Sequence, residues 1–110
     1  MPTSEPRLKL GILAFDGCML SSIAGPIDAL RVAQKLAQIR DPATPLKLEG
    51  IAISARGDSR VRTSCGLDLA GLGDPAGPFD VLLVPGIMHD SPEGLSRGAD
   101  AMVAEREYVR

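Results

Sequence analysis

"LKLGILAF", Leu8 to Phe15, is a nearly unbroken apolar run that stops at Asp16-Gly17. Successive residues of a strand face opposite sides of a sheet, so a half-exposed strand alternates apolar and polar side chains. This run does not alternate. It reads as a strand covered on both faces, as in a parallel sheet flanked by helices. Two further stretches have the same character: "LKLEGIAISA" (46–55), rich in Ile and Leu, and "FDVLLVPG" (79–86), a third buried strand closed by a Pro-Gly corner.

The intervening segments supply the helices. In "SSIAGPIDALRVAQKLAQIR" (21–40), Asp28, Arg31, Lys35 and Gln38 form one polar stripe, while Ile27, Leu30, Ala33, Leu36 and Ala37 take the other side. That spacing predicts an amphipathic helix from Pro26 onward, with the proline tolerated in its first turn and Ser21 or Ser22 available as a cap. "DPATP" (41–45) ends it. After the second strand, "RGDS" makes a turn, and "RVRTSCGLDLAGL" (60–72) predicts two very short strands around Cys65-Gly66. Ser91-Pro92-Glu93 resembles a helix start, followed by a weak apolar face of Leu95, Ala99, Met102 and Val109.

The order β, α, β, small hairpin, β, α predicts an α/β fold, a doubly wound parallel sheet with right-handed crossovers. The final helix carries "AEREYVR" to the last residue, with no Gly stop and no returning strand, so the sheet is expected to be incomplete at the C-terminus. Residues 1–7 are expected to form a disordered tail and residues 8–110 a single folded unit.

Composition narrows the function classes. The chain has 110 residues, enough for one core, and its two Phe, one Tyr and absence of Trp make that core aliphatic. An aromatic platform for single-stranded nucleic acid is not expected on the same ground. Twelve Lys and Arg against 14 Asp and Glu give a net charge of −2, without the basic excess that phosphate binding needs. No apolar run approaches bilayer length, and "MPTSEPRLK" holds no signal core, so a cytoplasmic protein without membrane contact is expected. Cys18 and Cys65 lie far apart without metal-type spacing, which fits a reducing compartment; neither a metal nor a cofactor is expected.

Nucleotide motifs are missing. No Gly-x-Gly-x-x-Gly follows the first strand and no Gly-Lys-Ser/Thr occurs anywhere. Pro85 stands where a receiver domain would place its phosphoacceptor Asp, and proline accepts no phosphoryl group. In an open parallel sheet, ligands gather beyond the C-terminal ends of the strands. Asp16, Gly17 and Cys18 follow the first such end; Gly86, Ile87 and His89 follow the last. Cys18 reads either as a small buried side chain or as a group facing that crevice. Backbone N–H groups at Gly86 and Ile87 could turn toward an anion or carbonyl, or simply make a tight turn; spacing alone does not separate the two. His89, the single histidine, lacks a visible partner for base catalysis, and Cys65 lacks a nucleophile elbow.

"GILAFDGCMLSSIAGPIDALRVA", "DSRVRTSCGLDL" and "FDVLLVPGI", in this order and spacing, resemble the ThiJ/PfpI superfamily of glutamine-amidotransferase-like domains, and within it the sensor domain of GlxA-type regulators of the AraC family. The likeness covers Leu8 to about Gly86, with Ala24-Gly25-Pro26-Ile27-Asp28 as its most specific piece. It implies a flavodoxin-like sheet, of which residues 8–110 would be the N-terminal portion. It also implies a ligand-binding crevice drawing on Asp16, Gly17, Cys18, Ser22, Gly86, Ile87 and His89. In enzymatic relatives a cysteine sits on a strand after the last helix, and an acidic residue occupies the position of Ser22. A serine hydroxyl supplies no negative charge and is a poor general base at neutral pH. Ile87 replaces the second glycine of the Gly-Gly corner common among relatives. The resemblance therefore implies a non-catalytic, ligand-sensing and dimerising part of an AraC-family transcriptional regulator. Its effector would be an unknown small molecule, and DNA would be contacted only through a helix-turn-helix module outside this chain. A truncated ThiJ/PfpI-class cysteine hydrolase or isonitrile-hydratase-like enzyme is the alternative.

Overall fold

The computed structural model describes residues 7–43, 46–87 and 91–110. Its centre is β1 (Arg7–Leu13), which pairs in parallel with β2 (Lys47–Ile53) over its whole length. On its other edge β1 pairs in parallel with a three-residue strand, Val81–Leu83, at Leu10, Gly11 and Ile12. The unalternating apolar run is thus the middle of the sheet, where both edges and both faces must be satisfied. Ile12, Leu13, Ala14 and Phe15 are buried with Leu10. Each aliphatic side chain removed from water in this way contributes about 1.5–3 kcal/mol.

Helix α1 (Ser21–Arg40) makes the crossover from β1 to β2. It lies close on β2 because residue 50 is glycine: a Cβ there would stand 3.1 Å from Ile27 Cγ1. Three expectations for this helix change. It begins at Ser21 rather than Pro26, which places the proline inside the helix. Leu20 is its N-cap and no serine side chain bonds the first turn, since Ser21 and Ser22 are already helical. Its inner side runs through Ile23, Ile27, Leu30 and Ala37, whereas Leu36 and Ala33 face outward with Val32 and Ile39.

The expected hairpin is present as β3 (Arg60–Arg62) and β4 (Asp68–Ala70), antiparallel, with Cys65-Gly66 at its turn. The third parallel strand, β5 (Val81–Leu83), is not the buried strand its composition suggested. Val81 is 48% and Val84 51% exposed, because β5 has β1 on one edge and nothing paired to the other among the described residues.

The last segment forms two helices instead of one. α2 (Pro92–Asp100) starts as read, with Pro92 in its first turn and the Ser91 hydroxyl accepting from the Gly94 N–H at 3.0 Å. It stops at Ala101, Met102 leaves helical geometry, and α3 (Val103–Val109) follows. Two causes act together. Gly94 and Gly98 weaken the helix, and an arginine from the β2 loop takes the Ala101 carbonyl (Arg56 Nη2, 3.0 Å). Met102 and Tyr108 then turn toward the core, and the Tyr108 hydroxyl donates to the Pro75 carbonyl at 2.7 Å.

Candidate functional site

A cavity of about 520 Å³ opens where β1 and β2 end, roofed by α2 and α3. β1 runs out through Ala14 and Phe15 into Asp16-Gly17; β2 runs out into Ser54, Arg56 and Asp58. Gly98, Ala101, Met102 and Glu105 close the helical side, and Ile87 the side of the Pro-Gly corner.

The β2 loop is built around a buried serine. Ser54 Oγ accepts from the N–H groups of Arg56 and Asp58, each at 3.2 Å, and donates to Asp58 Oδ2 at 3.2 Å. This side-chain turn aims Arg56 across the cavity. Its Nε and Nη2 donate to both oxygens of Glu105, at 3.1 and 3.0 Å. The Glu105 side chain is 4% exposed, so its charge depends on this forked contact, whose planar geometry suits a carboxylate. The hydrogen bond and charge of Glu105 push the Arg56 guanidinium still further above its ordinary range, so it stays cationic. Asp16 and Asp58 are exposed carboxylates on the rim, and Asp16 Oδ1 accepts from the Arg62 N–H at 2.9 Å.

Backbone bonds gather the other sequence-predicted residues nearby. Gly17 N–H donates to the Arg62 carbonyl at 2.8 Å, tying the β1 loop to the hairpin. Met19 N–H donates to the Gly86 carbonyl at 3.1 Å, and Cys18 and Ile87 form an isolated antiparallel bridge. The β1 loop and the Pro-Gly corner are therefore in direct contact. Asp16, Gly17 and Ile87 line the cavity. Cys18 lies beneath it, fully buried, and burial pushes its thiol up, with backbone hydrogen bonds opposing. Such a thiol is protonated at neutral pH and a poor nucleophile. Ser22 sits half-buried in the first turn of α1 and Gly86 is exposed; neither lines the cavity. His89 lies outside the described residues. Cys65 is exposed on the hairpin turn, its thiol lowered chiefly by Thr63 Oγ1 at 3.3 Å.

Sequence reasoning missed Ser54, Arg56, Asp58, Met102 and Glu105. The first three had a signal: "SARGD" follows a strand that the sequence already assigned to the parallel sheet, at the end where ligands bind. Met102 showed only as part of a weak apolar face and Glu105 had no signal, because only the break after α2 brings them to the cavity. Among the described residues, no three His, Cys, Asp or Glu side chains come together as a metal site.

Fold and cavity together define an α/β protein with a parallel three-stranded sheet and a pocket of mixed polar and apolar lining at the strand ends. A solved structure of similar backbone is the crystal structure of an AraC family transcriptional regulator from Pseudomonas putida. It is 21% identical, with a TM-score of 0.54, over 89% of this chain and 59% of that one. The likeness carries the fold, and the chain spans less than two thirds of the neighbour's length. No protein-family model and no curated protein matches the chain. Among the described residues no helix is long and apolar enough to cross a membrane.

Proposed function

We propose that this chain is the ligand-sensing part of an AraC-type transcriptional regulator, built on a flavodoxin-like sheet of the ThiJ/PfpI kind. It binds a small polar effector in the cavity at the strand ends, associates with itself, and reaches DNA only through a module outside this chain. The observation that carries the reading is the cavity itself. Its floor comes from the sheet, its roof from α2 and α3, and Arg56 joins the two through Glu105 and Ala101. An effector that touches Arg56 alters how the roof helices sit, which is what a sensor requires. Asp16 and Asp58 offer carboxylate oxygens to hydrogen-bond donors on that effector. Asp16, Gly17 and Ile87 act at the rim, and Cys18 and Gly86 hold the rim's backbone. The reading is non-catalytic because the crevice thiol is buried and protonated, and Ser22 supplies no charge to activate one. The P. putida likeness and the lack of basic excess support a regulator fragment without its own DNA surface.

The test is thermal denaturation of the chain against a panel of small amines, amino acids and polyols. A true effector at saturating concentration raises the midpoint by more than about 5 °C, and Asp58→Ala abolishes that rise. A panel that moves no midpoint counts against sensing, and thiol-dependent hydrolysis by the purified chain overturns the non-catalytic reading.

A further inference from the structure

Helix α1 carries a second apolar stripe that the described residues leave exposed. Ile23, Ile27 and Leu30 pack toward the core, and Gln34 Oε1 accepts from the Leu48 N–H at 2.6 Å. On roughly the opposite side of the helix stand Gly25, Ala29, Val32, Leu36 and Ile39, all exposed. Val32, Leu36 and Ile39 are 59%, 50% and 69% exposed. The stripe advances by four, three, four and three residues, which is the alternation of a helix-on-helix seam.

Its direction limits what can cover it. The stripe points away from the sheet, so a further helix laid beside α1 in the same layer would meet its flank and leave this face open. What covers the face must come from outside the layer. Gly25 supports close approach there. A Cβ at this position would meet nothing within 4 Å among the described residues, so packing among them gives no reason for glycine, the poorest helix former after proline.

We propose that the outer face of α1 is a homodimer seam, on which α1 of a second copy lies antiparallel, with Gly25 and Ala29 of each helix receiving Leu36 and Val32 of the other. The stripe is small in its N-terminal half and large in its C-terminal half, so an antiparallel pair sets small against large, and a parallel pair sets large against large. Charge selects the same direction. Asp28 and Lys35, both exposed, flank the stripe on one side, seven residues apart. Antiparallel pairing sets this flank against itself, Asp28 beside Lys35 of the second copy and the reverse; parallel pairing sets it against the other flank, Asp28 beside uncharged Ala33 and Lys35 beside Arg40. The proposal rests on the self-association stated above and names its surface.

Sedimentation equilibrium of the 110-residue chain across the micromolar range tests it. The native chain should dimerise, and Leu36→Glu should raise the dissociation constant by about tenfold or more, with an unchanged circular dichroism spectrum. Asp28→Lys should raise it about threefold, and Asp28→Lys combined with Lys35→Asp should restore it. A monomer at every concentration overturns this proposal and self-association together. A dimer indifferent to both Leu36→Glu and Asp28→Lys overturns the α1 seam alone. A dimer that the double exchange fails to restore overturns the antiparallel direction.

Discussion

Cys18 shows how much a single side chain's meaning depends on its depth. The sequence places it past the end of β1, where a reactive thiol would be useful; the fold buries it fully, and desolvation disfavours the thiolate. Cys65, on the hairpin turn, is shifted the other way by the Thr63 hydroxyl. A disulfide-exchange reagent at pH 8 should therefore modify one thiol quickly, Cys65, and the second only on the timescale of unfolding. Thr63→Val should slow the fast phase, because it removes the hydroxyl that lies against the Cys65 sulfur. The raised Cys18 value also sets a sign for stability. The folded chain keeps this proton where the unfolded chain loses it, so stability is unaffected below the ordinary thiol value of 9.0 and falls as pH rises beyond it. Cys18→Ala should flatten that alkaline decline.

At the scale of elements, the two ends of the chain's helical content behave differently. α1 has no side-chain cap and depends on burial of Ile23 and on its contact with β2 across Gly50. α2 is a nine-residue helix containing two glycines, and its beginning depends on Ser91. Ser91→Ala leaves the Gly94 N–H without its acceptor and should destabilise α2 by about 1 kcal/mol. The loss should be visible as faster amide exchange through α2, with β1 unchanged. α3 is held by side chains: Glu105 to Arg56, and Tyr108 to Pro75. Position in the sequence made α2 and α3 one helix; two hydrogen-bonded anchors from distant loops made them two.

For the molecule as a whole, protection should follow the sheet outward from its centre. β1 is bonded on both edges, whereas β5 contributes three residues and is bonded on one. Amide exchange at Ile12 and Leu13 should be slower than at Val81 to Leu83 by about tenfold or more, because edge amides open without global unfolding. Equal protection in β1 and β5 would mean that another segment covers the outer edge of β5. The cavity lies at the more fully paired side of the sheet, between the ends of β1 and β2, and among the described residues the Pro-Gly corner reaches it through Ile87.

Periodicity and apolar run length determined the class of this protein by themselves: unalternating strands, a helix between the first two, and a short hairpin around Cys65-Gly66. These are local consequences of side-chain direction and turn geometry, so they survive in one dimension. Exposure was not legible there. Whether Val81 is covered depends on how many neighbours β5 has, and whether Leu36 faces in or out depends on where Gly50 lets α1 settle. The site divided along the same line. Asp16, Gly17 and Ile87 could be placed at strand ends from sequence order alone. The pairing of Arg56 with Glu105, 49 residues apart, was decided by the tertiary structure, because the fold sets a buried carboxylate across the cavity from that arginine.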